Sequence, residues 1–355
     1  MTVRRVLLAS PRGFCAGVEK AIKALAWMVR VFEPPVYCYH EIVHNRHVVD
    51  QFRARGVVFV DDVDEVPAGA PLMLSAHGSA PEVVAAARLR HRVVVDAVCP
   101  LVTKVHHELK VRARKGYTVL YVGHDGHEEA VGTMAVAPDS VLLVQSEADV
   151  DAAAIEAGTP VALLAQTTLS HDEWSGIMAR ATERFPDLWM PGRSDLCFAT
   201  TNRQAALKAI AHRADVVVVI GSLNSSNTRA LEKVAVASGC ARVLRVNNAD
   251  ELPDDLSGTV GVTAGASAPD ELVAAVVARL APVEGVEEVS VTDEDEYFPP
   301  PPEMRDLLGA LAGALALGLF APAPGTVVAT ADDDLAQLAR DRHVSAADVL
   351  ARLAR

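Results

Sequence analysis

Three segments of this chain repeat one another, each built around a cysteine where an apolar run gives way to an amphipathic helical pattern. The first reads VRRVLLASPRGFC followed by AGVEKAIKALAWMV, the second HRVVVDAVC followed by PLVTKVHHELKVRARKG, and the third SDLC followed by FATTNRQAALKAIAHRA. Cys15, Cys99 and Cys197 are therefore each expected at a helix N-terminus. After each helix comes an apolar run ending in polar residues, then a second helix, a strand, and a last strand that again ends in polar residues. The spacings agree: His44, His127 and Ser225 lie 29, 28 and 28 residues beyond their cysteines, and His77, Thr167 and Ser267 lie 62, 68 and 70 beyond.

Strands alternating with helices predict βαβ units and mainly parallel sheets, with ligands at the carboxyl ends of the strands. The expected fold is α/β: three α/β repeats, 1–98, 99–195 and 196–282, related by a pseudo-threefold axis. That symmetry brings three cysteines and six polar strand ends to one central cavity. A C-terminal extension, 283–355, follows.

Composition narrows the function. A net charge of −13 over 355 residues argues against nucleic acid or an anionic membrane as a partner, since both need a basic face. The N-terminal VLLA is too short for the ~7–15-residue apolar core of a signal peptide. Five cysteines, an odd number without an export signal, fit a reducing cytoplasm and thiols that bind metal or stay free.

Within the repeats, a helix N-terminus offers unpaired N–H groups and a positive dipole end, conditions that favour a thiolate. His44 and His77 fall at expected strand ends, whereas His40 and His47 have no such placement, and Cys38 reads as core. In GHDGHEEAVGT, His124, His127, Glu128 and Glu129 share a loop. A carboxylate there is either a proton donor raised by desolvation or a favourable acid in the next helix's first turn. Thr167 and Thr168 in QTTLS are either ligand donors or helix caps. Asn224, Ser225, Ser226 and Asn227 in GSLNSSN, with Ser267 in TAGAS, are neutral donors before helices, a setting that suits an anion.

The tail reads differently. Residues 283–355 carry 14 Asp and Glu against 5 Arg and include PPPP, so an acidic, extended linker is expected, then a small helical appendage. The apolar run 307–320 is short of the ~20 residues of a membrane span and is expected to dock on the protein. Ser345 is a plausible N-cap for the last helix. Truncation after about residue 282 is expected to leave activity intact.

Three cysteines on distant segments do not match the local spacings of zinc ribbons. Cluster irons normally take four thiolates, so three would leave one iron of a cubane open to substrate. At this point the motifs PRGFCAGVEKAI, HEIVHNRHVV, SAHG, DAVCPLVTKVH, GHDGHEE, QTTLS, CFATTNRQ, GSLNSSN and VTAGASAP together closely resemble the 4-hydroxy-3-methylbut-2-enyl diphosphate reductases. The resemblance covers about residues 3–281. It implies a 4Fe-4S cluster on Cys15, Cys99 and Cys197 whose apical iron binds the substrate hydroxyl. It also implies diphosphate binding by His44, His77, His127, Ser225, Ser226, Asn227 and Ser267, a proton relayed by Glu129, and Thr167 near the substrate alcohol. The implied reaction is a two-electron reductive dehydroxylation giving isopentenyl and dimethylallyl diphosphates, with electrons from ferredoxin or flavodoxin. Glu128 stands where many members of that family carry proline. The competing readings are a quinolinate-synthase-like 4Fe-4S enzyme, a non-enzymatic iron–sulfur redox sensor and a zinc protein.

Overall fold

The computed structural model describes residues 2–316, 342 and 344–353. Its strands form three separate sheets in which every pairing is parallel. Strand β1 (Thr2–Ser10) runs through Cys15 into α1 (Ala16–Val31). The first lobe continues with β2 (Val36–Tyr39), α2 (Arg46–Arg53), β3 (Val57–Val60), β4 (Leu72–Leu74), α3 (Pro81–Arg90) and β5 (Val94–Asp96). Its sheet has the order β3-β2-β4-β5.

The second lobe holds α4 (Pro100–Arg114), β6 (Thr118–Val122), α5 (Glu128–Met134), β7 (Val141–Val144), α6 (Glu147–Ala152), β8 (Val161–Ala165) and α7 (His171–Arg184). Its sheet order is β7-β6-β8. The third lobe holds α8 (Phe198–Ala211), β9 (Val216–Ile220), α9 (Ser226–Ala237), β10 (Val243–Val246), β11 (Ser257–Ala264), α10 (Asp270–Leu280) and β12 (Val286–Ser290). Its sheet order is β10-β9-β11-β1-β12. Strands such as VALLA and VVVVI are buried along their whole length, as expected where helices cover both faces of a parallel sheet.

The lobes interlock, which corrects the expectation that the first strand opens the first repeat. β1 pairs with β11 and β12 in the third lobe's sheet, while α1 packs into the first lobe's core with Val36, Cys38 and Met73. The same handover occurs at the other cysteines. β5 pairs with β4 of the first lobe and leads through Cys99 to α4, whose Val105 and Leu109 pack in the second lobe. Trp189 bridges to Ala162 of the second lobe, and the chain then runs through Cys197 to α8, which packs in the third. Each cysteine thus sits where the chain leaves one lobe's sheet for the next lobe's helix. The ring closes because the N-terminal strand fills the third lobe's equivalent of the β5 position.

The extension is also corrected. β12 lies inside the expected linker and pairs with β1 over Val286–Ser290. Further on, α11 (Pro302–Ala316) and α12 (Ala346–Leu353) place fully buried Met304, Ala346 and Leu350 in the first lobe's core. Ser345 Oγ accepts from Asp348 N at 3.0 Å, the capping contact expected of it. The docked apolar run is described as far as residue 316, with Leu307 and Leu308 against the first lobe's core; the rest of that run and most of the stretch after APAPG lie outside the described residues. The pairing of β12 had no signal in the sequence, because an acidic, proline-rich composition looks the same whether a strand is solvated or paired at a sheet edge.

Candidate active site

The three cysteines are the N-caps of α1, α4 and α8, and they meet in one cavity of about 110 Å³. Backbone bonds fix them to the preceding strand ends: Cys15 N donates to Ala266 O at 3.2 Å, Cys99 N to Ala76 O at 3.0 Å and Cys197 N to Thr167 O at 3.0 Å. Every one of these bonds crosses to another lobe's strand end, so the threefold interlock itself sets where the thiols stand. Gly17 lets two of them approach. A Cβ there would lie 2.8 Å from Cys99 Sγ and 3.9 Å from Cys15 Sγ, so any larger residue would displace a thiol.

All three cysteines are free. Burial, then the neighbouring thiols, push the Cys99 thiol up to about 12. Burial and Cys15 do the same to Cys197, also about 12, against hydrogen bonds from Thr200 that act to lower it. Thr200 N donates to Cys197 Sγ at 3.2 Å, and its hydroxyl lies 2.9 Å from the same sulfur. Thiols raised in this way, as Cys99 and Cys197 are, ionise readily only beside a positive charge. Together with Cys15 they make a three-sulfur donor set that fits a thiophilic metal centre.

Across the cavity the wall is polar. His127 and Ser225, which line the cavity, cap α5 and α9 through their own side chains, and Asn45, next to His44 in the chain, caps α2; helix N-termini favour an anion. His44 and His77 stack with centroids 3.9 Å apart, and His127 stands edge-on to His44 at 5.5 Å. Burial, then His77, lowers His44; burial, then His77 and His44, lowers His127 to about 3. Asn227 is 4% exposed, yet neither side-chain atom has a hydrogen-bond partner among the described residues, nor does His127 Nε2. Orphaned buried polar atoms are costly in a folded protein, and these line the cavity. Ser225, Ser226 and Ser267 also line it. The Ser267 hydroxyl donates to His44 O at 2.9 Å, and Gln166 Nε2 donates to Ser226 Oγ at 3.3 Å.

Between the two ends sits Glu129, 2% exposed. Thr167 donates to it twice, from N to Oε1 at 2.7 Å and from Oγ1 to Oε2 at 2.9 Å. Burial raises the carboxyl to about 7 even though both Thr167 bonds act to lower it. A carboxylic acid that titrates near neutrality beside a hydroxyl is equipped to hold and release a proton. This placement separates Glu129 from Glu128. Burial acts to raise Glu128, but its contact with His77 and the charges of His77, His44 and His40 hold it at about 2.

All twelve residues singled out by the repeat and the motifs line this cavity. Thr168 and Thr200 join them there. The remaining candidates do not. His47 is half-buried and pairs with Glu271 at 2.6 Å, and Asn224 bonds Glu41 at 2.8 Å. Sequence reading missed Phe298, which lies in the wall with its ring 6.4 Å from that of Phe198. It also missed the anchor that holds this segment: fully buried Arg203 donates to both oxygens of Glu294 at 3.0 Å and to the carbonyls of Gly13 and Phe14 beside Cys15. The aromatic beside Cys197 was visible; its partner across about a hundred residues had no local signal.

Fold and cavity together define an enzyme of a three-lobed α/β class that works at a shared central site walled by cysteines. The LytB protein family matches residues 6–281. A 4-hydroxy-3-methylbut-2-enyl diphosphate reductase of Rhodopirellula baltica is 46% identical over 318 residues, 88% of this chain and all of the relative. One from Mycolicibacterium paratuberculosis is 48% identical over 309 residues, 86% of this chain and 93% of the relative. The solved structure of the E-1-hydroxy-2-methyl-but-2-enyl-4-diphosphate reductase from Plasmodium falciparum superposes with a TM-score of 0.84 at 29% identity, covering 87% of this chain and 99% of that one. The chain belongs to the LytB protein family, the 4-hydroxy-3-methylbut-2-enyl diphosphate reductases. It is a family of iron–sulfur oxidoreductases of isoprenoid biosynthesis, which decides for the reductase over the quinolinate-synthase-like enzyme, the redox sensor and the zinc protein. Among the described residues no helix is long and apolar enough to cross a membrane.

Proposed function

We propose that this chain reduces (E)-4-hydroxy-3-methylbut-2-enyl diphosphate to isopentenyl and dimethylallyl diphosphates, in the cytoplasm, with electrons from ferredoxin or flavodoxin. Cys15, Cys99 and Cys197 would hold a 4Fe-4S cluster, which would supply the electrons and a Lewis acid for the substrate hydroxyl. The observation that carries this reading is the convergence of three helix-capping cysteines and a buried, proton-bearing Glu129 on one cavity.

The protein's own residues divide the work. His44, His77, His127, Ser225, Ser226, Asn227 and Ser267 receive the diphosphate, and the unpaired Asn227 amide and His127 Nε2 gain partners when it arrives. That fixed end orients the allylic alcohol toward the thiol end. Glu129, whose carboxyl is near half-protonated at neutral pH, passes a proton through the Thr167 hydroxyl to the departing oxygen. The C–O bond breaks, the oxygen leaves as water, and the allylic carbons take up two electrons from the external donor and a second proton, so that the diphosphate is retained in both C5 products. Phe198 and Phe298 keep bulk water off the thiol end. Catalysis is shared by three lobes near 1–98, 99–195 and 196–282, the third of which also takes β1 and β12 into its sheet, and the described part of the remaining tail braces the first lobe.

The test is anaerobic turnover of the hydroxylated diphosphate with reduced viologen by protein whose cluster absorption has been verified. Formation of both C5 diphosphates supports the reading. No turnover by cluster-replete protein overturns it.

A further inference from the structure

Glu128 opens α5 in the second lobe and is not part of the cavity lining, yet it reaches across to the first lobe. Its Oε2 lies 2.8 Å from His77 Nδ1 and its Oε1 lies 3.8 Å from His40 Nδ1. The side chain is mostly buried. His77 Nδ1 and Glu128 Oε2 are off the axis of an aligned hydrogen bond, and neither has another hydrogen-bond partner among the described residues. Rotation about the carboxylate's broad terminal torsion aligns them.

Donor atoms of His44, His77 and Glu128 also lie within 4.8 Å of one another, a spacing that raises the question of a metal ion. The ring geometry answers it. His44 and His77 are stacked at an interplanar angle of 12°, so their in-plane lone pairs run side by side and do not converge on one point. A hydrogen bond from His77 to Glu128 fits the contact; a shared ion does not.

We infer that Glu128 is a positioning residue for the diphosphate: by accepting the Nδ1 proton of His77, it leaves Nε2 to meet the ligand as the N–H of an imidazolium. A carboxylate can only accept, so Nδ1 carries the hydrogen of that contact, and a ring that also meets a phosphate oxygen through Nε2–H donates from both nitrogens. His44 Nδ1 also faces a carboxylate, Glu41 Oε2, but at 3.6 Å against 2.8 Å for His77 and Glu128, and burial outweighs that partner in lowering His44. His127, lowered to about 3 chiefly by burial, has no carboxylate contact among the described residues, and a neutral ring offers a single N–H. His77 is then the ring that brings positive charge to the phosphate oxygens. Glu128's own charge opposes this by repelling the ligand through space, so the sign of its removal discriminates. If repulsion dominates, neutralising Glu128 tightens binding; if the relay through His77 dominates, binding weakens.

This inference rests on the diphosphate assignment of His77, and a double-mutant cycle on the cluster-replete enzyme separates the two. Competitive inhibition by inorganic pyrophosphate is measured for wild type, Glu128→Gln, His77→Asn and the double variant, with KM and kcat for each. Glu128→Gln is expected to raise the pyrophosphate inhibition constant and KM by roughly tenfold, the loss of one charge-assisted contact, with kcat moving far less. Glu128→Asp should recover part of the loss. In the His77→Asn background Glu128→Gln should add nothing. Tighter or unchanged pyrophosphate binding in Glu128→Gln, or the same penalty with and without His77, overturns the inference while leaving the diphosphate site standing. An unchanged inhibition constant in His77→Asn alone breaks the diphosphate assignment of that ring and the inference with it.

Discussion

The two ends of the central cavity are built by opposite strategies. At the thiol end, three identical residues from three lobes are held by backbone bonds and walled by Phe198, Phe298, Val18 and Leu101. At the other end the lobes contribute unequal sets: the first gives two histidines, His44 and His77, the second one, His127, and the third none, offering Ser225, Ser226, Asn227 and Ser267 instead. Threefold symmetry survives where one object must be gripped equally from three sides. It is abandoned where a substrate that lacks threefold symmetry must be bound in a single orientation. The helix N-termini are common to both ends, because the fold delivers them regardless of which side chain caps them.

The contrast is broken most severely at the thiol end. Replacing any one of Cys15, Cys99 or Cys197 with serine should abolish turnover and visible cluster absorption together. Retained absorption with full activity in any single variant would refute the three-thiolate assignment. Replacing His44, His77 or His127 with asparagine should instead leave the absorption and raise KM.

Removing residues 283–355 should cost the fold, contrary to the expectation drawn from composition. Truncation exposes the sites of Met304 and Leu350, each worth roughly 1.5–3 kcal/mol, and strips β12 from β1. It also leaves the buried Arg203 cation without Glu294, a loss of about 3–5 kcal/mol for a broken buried pair. Together these approach the whole stability of a typical domain, about 5–15 kcal/mol. Thermal unfolding of the truncated chain measures it, and a cooperative transition within a few degrees of the full chain would contradict this.

Glu129 lies between the ends and should affect chemistry alone. Glu129→Gln should lower kcat by about 10²–10⁴ with the cluster spectrum intact. Its pH dependence follows from the raised carboxyl: the acid form is the donor, it is present below about 7, and kcat should fall as pH rises through that value. A flat kcat from pH 6 to 9 would remove Glu129 from the proton route.

At the polar end the effects are smaller. Asn227→Ala removes atoms that wait without partners, so it should raise KM by about tenfold without lowering stability. The smallest change is Phe298→Leu, which should keep turnover and shorten the lifetime of the cluster in air, followed as loss of its visible absorption.

Much of this site could be read from the chain. Each cysteine stands at a fixed point of a repeating strand–helix pattern, and 29, 28 and 28 residues lead from them to His44, His127 and Ser225. Periodicity and spacing are local properties, so the parallel sheets and the donors at their ends were accessible. Long-range pairings were not. Nothing in VRRVLLAS says that it belongs beside β11, some 250 residues away, since an apolar strand fits any parallel sheet. Glu294 reads as one acid in the run TDEDEY until Arg203 is found buried opposite it.

Sequence by itself determined the three repeats, the cysteines at helix starts and the polar strand ends, because helix capping and strand burial depend on near neighbours. Only the tertiary structure decided that β1 closes the ring, that the acidic tail braces the thiol end, and that two adjacent glutamates face different environments. Glu128 looks outward to histidines of another lobe, while Glu129 looks inward to Thr167. One step along a helix turns a side chain by about 100°, and what it meets there is set by packing between lobes.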